Sequence, residues 1–184
     1  MSTSLIIVIV LALVLVLMYN SLVGKKNQVE NIFASVDTVL RKRYDLIPNL
    51  VASVSKYMDH EKSLLENVTK LRAEANRPNL SDTDKIALDA KVTSALGSIM
   101  VAVENYPELK ANENVMHLQH TLHEVEEQIS AARRAYNQSV TDYNNAIEMV
   151  PTSFMASLMN YKRKEVFAIV EEQRQNVNVK ELFS

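Results

Sequence analysis

The sequence predicts an all-α protein, with an N-terminal transmembrane helix, an elongated antiparallel bundle of three to four helices and an irregular C-terminal tail. Three observations carry this expectation. Leu5 to Met18 is a run of fourteen residues without a polar side chain. Only two glycines occur in 184 residues, too few for the turn chemistry that a sheet protein needs at its hairpins. Apolar side chains recur in alternating steps of three and four along most of the remaining chain, the spacing of a heptad seam. The predicted division is a short N-terminal end at 1–4, a span at 5–23, a bundle at 24–161 and a tail at 162–184.

Extended through Tyr19, Asn20 and Ser21 to Leu22 and Val23, where Lys25 and Lys26 stop it, the apolar stretch is about 28 Å long at helical rise. This is close to the roughly 30 Å of a hydrocarbon core. A cleaved signal peptide would place a basic region before the apolar run and a small-residue site after it. No Lys or Arg precedes Leu5, and Tyr19-Asn20-Ser21-Leu22 follows Met18. Nor does Leu5 to Met18 have a polar face to leave among headgroups, as an interfacial helix would. Lys25, Lys26, Arg41, Lys42 and Arg43 all follow the span, so the positive-inside rule predicts a single-pass protein with its N-terminus outside and the remainder cytoplasmic.

The bundle follows from the seam. Val29, Phe33, Val36 and Leu40, then Ile47, Leu50, Val54 and Tyr57, then Leu64, Val68 and Leu71 predict one long helix, with breaks of register at Arg43 and Glu61. Pro48 is expected to kink it rather than end it, with Asp45 capping a restarted turn. Asn76 to Leu80 reads as the first connection, and Ser81 followed by Asp84 as a capping-box start. A second helix over about 82–105 places Val92, Leu96, Ile99, Val103 and Tyr106 on one face. The third, capped by Asn112 or Asn114, carries Val115, Leu118, Leu122, Val125, Ile129, Ala132, Tyr136, Tyr143 and Ile147 and ends before Pro151. At roughly 50 Å it is matched in length by the first helix alone, and the two are expected to pair antiparallel. A short helix near Phe154 to Met159 completes the set. Beyond Tyr161 the pattern degrades. Phe167 is expected to pack on the bundle, and Val177 to Phe183 alternates like a strand.

Composition excludes several functions. The 20 Lys and Arg against 22 Asp and Glu leave no concentrated basic face for nucleic acid. The absence of Cys removes disulfides, thiolate metal sites and cysteine nucleophiles. His60-Glu61 and His123-Glu124 begin an H-E-x-x-H pattern, but Leu64 and Glu127 stand where its second histidine belongs. His117, His120 and His123 lie three apart; neighbours could share an ion, but pairing of His120 with Glu124 and His123 with Glu127 is the simpler expectation. Isolated glycines at 24 and 97 rule out the Gly-rich nucleotide loops and the nucleophile elbow. No cofactor is expected.

One pattern repeats: Tyr136-Asn137 returns seven residues later as Tyr143-Asn144, which places both pairs on one stripe of the third helix. Such a stripe suits a polar-lined groove, a partner helix, or hydrogen bonds that fix helix register. Arg43, a charge at a seam position near Asp45, needs a partner and is a natural member of such a network. Arg43, Asp45, Tyr136, Asn137, Tyr143 and Asn144 are therefore the candidate interaction or network residues.

These stretches, taken in order, resemble the LemA family. They are Tyr19 to Val23, Arg41-Lys42-Arg43, Asp45 to Val51, His60-Glu61, Tyr106 to Asn112, Ala132-Arg133-Arg134, the two Tyr-Asn pairs and Pro151. Phe33 stands where that family usually has tryptophan, Val115 or Met116 where phenylalanine is common, and Asn160-Tyr161 where Gly-Phe is typical. The resemblance implies a membrane-anchored helical bundle with a short outside N-terminus and a cytoplasmic domain, and brings no established reaction. Relatives are associated with organelle formation in magnetosome bacteria and with membrane zinc metalloproteases of the heat-shock type.

The function expected is a non-enzymatic, membrane-tethered scaffold or adaptor that self-associates at the inner face of a bacterial membrane. The span has no G-x-x-x-G, so the bundle would supply most contacts between copies. The alternative is a regulatory partner of a membrane zinc metalloprotease in membrane-protein quality control, docking through the C-terminal segment or the Tyr/Asn stripe. An enzyme with a metal on His117 and His120 is a third, remote expectation.

Overall fold

A computed structural model describes residues 3–167. Helices are the regular structure of the described residues, with no strand among them: α1 Thr3–Val54, α2 Lys62–Ala75, α3 Asp82–Val103, α4 Pro107–Lys110, α5 Glu113–Glu148 and α6 Thr152–Leu158. A 3-10 turn at Asp59–Glu61 precedes α2.

The apolar span and the first bundle helix form one rod of 52 residues. Its N-terminal part is bare, with the large side chains from Leu5 to Leu17 each 44–64% exposed. Burial begins at Leu22 and then follows the seam through Val29, Phe33, Val36, Leu40, Ile47, Leu50 and Val54. Each such side chain contributes roughly 1.5–3 kcal/mol of apolar transfer. α1 passes Pro48 without interruption, so Asp45 caps nothing and stands exposed. Pro48 lacks the N–H that would bond the Tyr44 carbonyl; Arg72 Nε on α2 donates to that carbonyl instead, at 3.0 Å.

The predicted α1–α5 pair is present, and its register explains a break that the seam does not announce. The Phe33 and Tyr136 rings pack at 5.3 Å, and Arg43 Nη1 donates to Glu126 Oε2 at 2.8 Å. Ten residues along α1 thus match ten residues back along α5, which places Ile147 level with Leu22 and Glu113, the first residue of α5, level with Lys56. Past Val54, α1 would have no partner. The chain turns at Ser55 to Met58, burying Met58 and leaving Tyr57 at the surface, and α2 returns with Leu65, Val68 and Leu71 inward. The single long helix predicted to Asn76 is therefore two helices. The Asn76–Leu80 turn that follows holds Asn79 at φ 66°.

α3 starts where its cap was predicted, with Ser81 Oγ accepting the Asp84 N–H at 3.1 Å. Its apolar content would also suit a membrane span, but Leu88, Val92, Leu96, Ile99 and Val103 are buried in the bundle. It is a core helix. Asn112 caps α5, accepting from the N–H groups of Asn114 and Val115. Helices α1, α2, α3 and α5 run alternately up and down, with the single turn α4 between the last two. α6 ends in a Schellman-type cap, in which Tyr161 N–H bonds Ala156 O and Asn160 N–H bonds Ser157 O. Asn160 takes φ 52° there, the left-handed conformation that glycine adopts most easily and the place where the resemblance expects glycine.

Candidate functional site

Two polar constructions lie along the α1–α5 pair. The first is built around Arg43, which is 1% exposed at the middle of α1. Asp45 is not its partner: the next residues along a helix point away from it. Arg43 instead reaches across the bundle to Asp89 on α3, to Glu126 at 2.8 Å and to Thr93 Oγ1 at 2.9 Å. Arg133 on α5 pairs with the other oxygen of Asp89 and lies 3.7 Å from Glu126. Two cations and two anions thus form a closed ring that joins α1, α3 and α5. Asp89, with 2% of its side chain exposed, is paired with two guanidinium groups, one on each oxygen. The clue in the sequence was the seam itself: Asp89 continues the Val92, Leu96, Ile99, Val103 series one step back.

The second construction is the Tyr/Asn stripe. It neither bonds to another helix nor lines an open groove, because the chain's own residues 161–167 lie on it in an extended run. Asn144 donates to Lys164 O at 2.9 Å and accepts from Lys164 N–H at 3.0 Å. Asn137 repeats the arrangement on Phe167, donating to its carbonyl at 3.0 Å and accepting from its N–H at 2.8 Å. Tyr143 donates its hydroxyl to Lys162 O at 3.1 Å. The match is metric: seven helical residues rise about 10.5 Å, and three extended residues advance about 10 Å. Two side-chain amides therefore pair with the peptide backbone as a neighbouring strand would.

Phe167 is buried, as predicted, with its ring edge-on to Tyr136 at 5.3 Å. Burial, reinforced by Asp82 and Glu165, pushes the Tyr136 hydroxyl up to about 12. The Tyr143 hydroxyl is raised too, by burial first and then by Tyr161 and Glu30. The strand-like stretch Val177 to Phe183 lies outside the described residues.

His117, His120 and His123 sit on the wet face of α5, with His120 3.5 Å from Glu124 and His123 3.6 Å from Glu127, and His60 lies exposed in the 3-10 turn before α2. Among the described residues no three His, Cys, Asp or Glu side chains converge as metal ligands. A cleft of about 310 Å³ opens beside α1 at the turn between α2 and α3. Asp37 bonds both Arg41, at 3.0 Å, and Lys85, at 2.7 Å, on its wall.

The LemA family model matches residues 32–180, a stretch that contains the ring, the stripe and the segment lying on it. The chain belongs to the LemA family. It is 23% identical to Protein LemA of Metamycoplasma hominis, the match covering 89% of this chain and 74% of that protein. It is also 23% identical to Magnetosome protein MamQ 2 of Paramagnetospirillum magneticum, over 83% of this chain and 65% of that one. Over 45% of this chain and 30% of its relative, it is 32% identical to Magnetosome protein MamQ of Magnetospirillum gryphiswaldense. With its bare apolar helix, this is a membrane-associated LemA-type protein.

Proposed function

We propose that this LemA-family chain is a non-enzymatic scaffold or adaptor, tethered by residues 5–23 to the inner membrane of a bacterium, with the bundle in the cytoplasm and self-associating there. One observation carries the reading. Of the buried polar side chains among the described residues, Arg43, Asp89 and Asn144 bond other segments of the chain, and Ser139 bonds the Tyr136 carbonyl of its own helix. Apart from the Nε atoms of Arg43 and Arg133, which have no hydrogen-bond partner, the interior polar groups are engaged in shaping the bundle, which supports a function in its surface and its tether. Alkaline phosphatase fused after Ser184 should be inactive in cells, and an active fusion would reverse the orientation. Blue-native electrophoresis in mild detergent should show species larger than a monomer; monomer alone would count against self-association.

The alternative, a regulatory partner of a membrane zinc metalloprotease, draws support from the stripe's fit to extended peptide backbone. Tyr136→Ala with Tyr143→Ala, or deletion of residues 177–184, should then weaken capture of the protease. Unchanged capture in both variants would sink this reading.

A further inference from the structure

The end of the bundle next to the apolar span carries an apolar surface that the fold leaves uncovered. Met149, Val150, Phe154 and Leu158 are 63%, 74%, 70% and 84% exposed, although large apolar side chains elsewhere in the bundle mostly face its core. Phe154 and Leu158 lie four apart on α6 and so share one face. The opposite face is buried, with Ala156 in the core and Met155 and Met159 packed against it. The surface is thus the outward side of a short helix clamped at both ends. Thr152 Oγ1 donates to Ala146 O at 2.6 Å at its start, and the Asn160 cap closes it.

Register fixes where this surface stands. Because Ile147 is level with Leu22, Glu148, the last residue of α5, is level with Ser21. The chain then comes back, and by Tyr161 it has reached Tyr143, at 6.0 Å between rings, and Lys26, whose Nζ lies 5.7 Å from the Tyr161 ring. α6 packs against α1, so Met149 to Asn160 lies beside α1 at about residues 21–26. The apolar span ends at Val23, so this segment overlaps the last turn of the span. Leu22, inside the span by sequence, is fully buried. Lys25 and Lys26 on α1 and the exposed Lys162 and Arg163 flank the same end; Lys26 lies 3.8 Å from Glu30 and Arg163 pairs with Glu148, and Lys25 and Lys162 add the positive charge that anionic headgroups attract.

We propose that α6 and the Met149-Val150 turn are a membrane-seating surface: Val150, Phe154 and Leu158 enter the headgroup and upper acyl region of the cytoplasmic leaflet beside the span, fixing the bundle's orientation against the bilayer. The occupant is lipid. Continuity with the span and the basic rim favour it over a second copy of the chain. The inference rests on residues 5–23 crossing the bilayer, and its test separates the two.

The chain has no cysteine, so single-cysteine variants of the full-length protein can carry an environment-sensitive NBD label. Phe154→Cys and Leu158→Cys are placed in the surface, Leu11→Cys in the span, and Gln128→Cys on the exposed side of α5. Each is reconstituted in vesicles of phosphatidylcholine and phosphatidylglycerol, with and without lipids bearing a nitroxide on the upper acyl chain. Blue-shifted emission and nitroxide quenching are expected at 154 and 158, several-fold above that at 128. Water-like, unquenched emission at 154 and 158 beside a blue-shifted label at 11 would overturn the seating while leaving the span intact. Blue-shifted but unquenched emission at both would mean protein covers the surface, and would overturn lipid as its occupant. Water-like emission at 11 would overturn the span and the seating together.

Discussion

The ring around Arg43 and the stripe around Asn137 and Asn144 bury polar groups on the same helix pair for opposite purposes. The ring uses four full charges at mid-bundle, Arg43 and Asp89 removed from water and Glu126 and Arg133 at its partly exposed edge, each dependent on the others. The stripe uses neutral amides, each donating and accepting at a single residue of an extended segment. A charge ring binds helices that must stay together, since loss of one member strands the others. An amide pair gives back its hydrogen bonds to water when it opens, so it suits a segment held locally. The bundle is thus fixed at its centre and fastened more lightly toward the apolar helix.

Substitutions can break each half of this contrast separately. Asp89→Ala leaves Arg43 buried without its main counter-charge and should cost about 3–5 kcal/mol. It would appear as a large fall in the urea midpoint of the bundle. Asn137→Ala with Asn144→Ala removes four hydrogen bonds, each worth about 0.5–1.5 kcal/mol net. Here the expected effect is local: hydrogen exchange should accelerate at the Lys164 and Phe167 amides while α1 and α3 keep their protection. If the double variant lowered the midpoint as far as Asp89→Ala does, the distinction between the two sites would fail.

Tyr136, beneath Phe167, sharpens the comparison through pH. Its hydroxyl titrates at about 12 in the folded chain against about 10 when unfolded. The folded state therefore holds the proton more tightly. Its contribution is fully present below pH 10 and is lost as pH rises through 12. Tyr136→Phe should match the wild type in chemical denaturation at neutral pH and lose less stability across that alkaline window. Asn160→Gly, the mildest change, relieves a left-handed backbone and should raise stability by about 0.5–1 kcal/mol, read as a small rise in melting temperature.

Much of the architecture was legible in the sequence. Scarce glycine gave the class, and the seam residues from Val29 to Val54 and from Val115 to Ile147 are buried, with Leu118 and Ala132 only partly so. What stayed hidden was set by partners distant in sequence. A heptad pattern marks which face is buried but not where the opposing helix stops, so the turn at Ser55 to Met58 could not be read from the α1 seam. Arg43 announced its need for a counter-charge, yet the near candidate, Asp45, faces solvent, and the true one lies 46 residues away. The repeated Tyr-Asn pairs marked a stripe. Their bidentate use on backbone depended on the extended course of residues 161–167, which a degraded pattern does not reveal.

The central claim, that a bundle with its interior polar groups engaged in structure works by tethered assembly, is most directly tested by native mass spectrometry of the full-length protein released from polymer-extracted membrane discs. Assemblies of two or more chains, persisting when the span is replaced by an unrelated single-pass helix, are the predicted result. A single chain per disc at all protein loadings would contradict it.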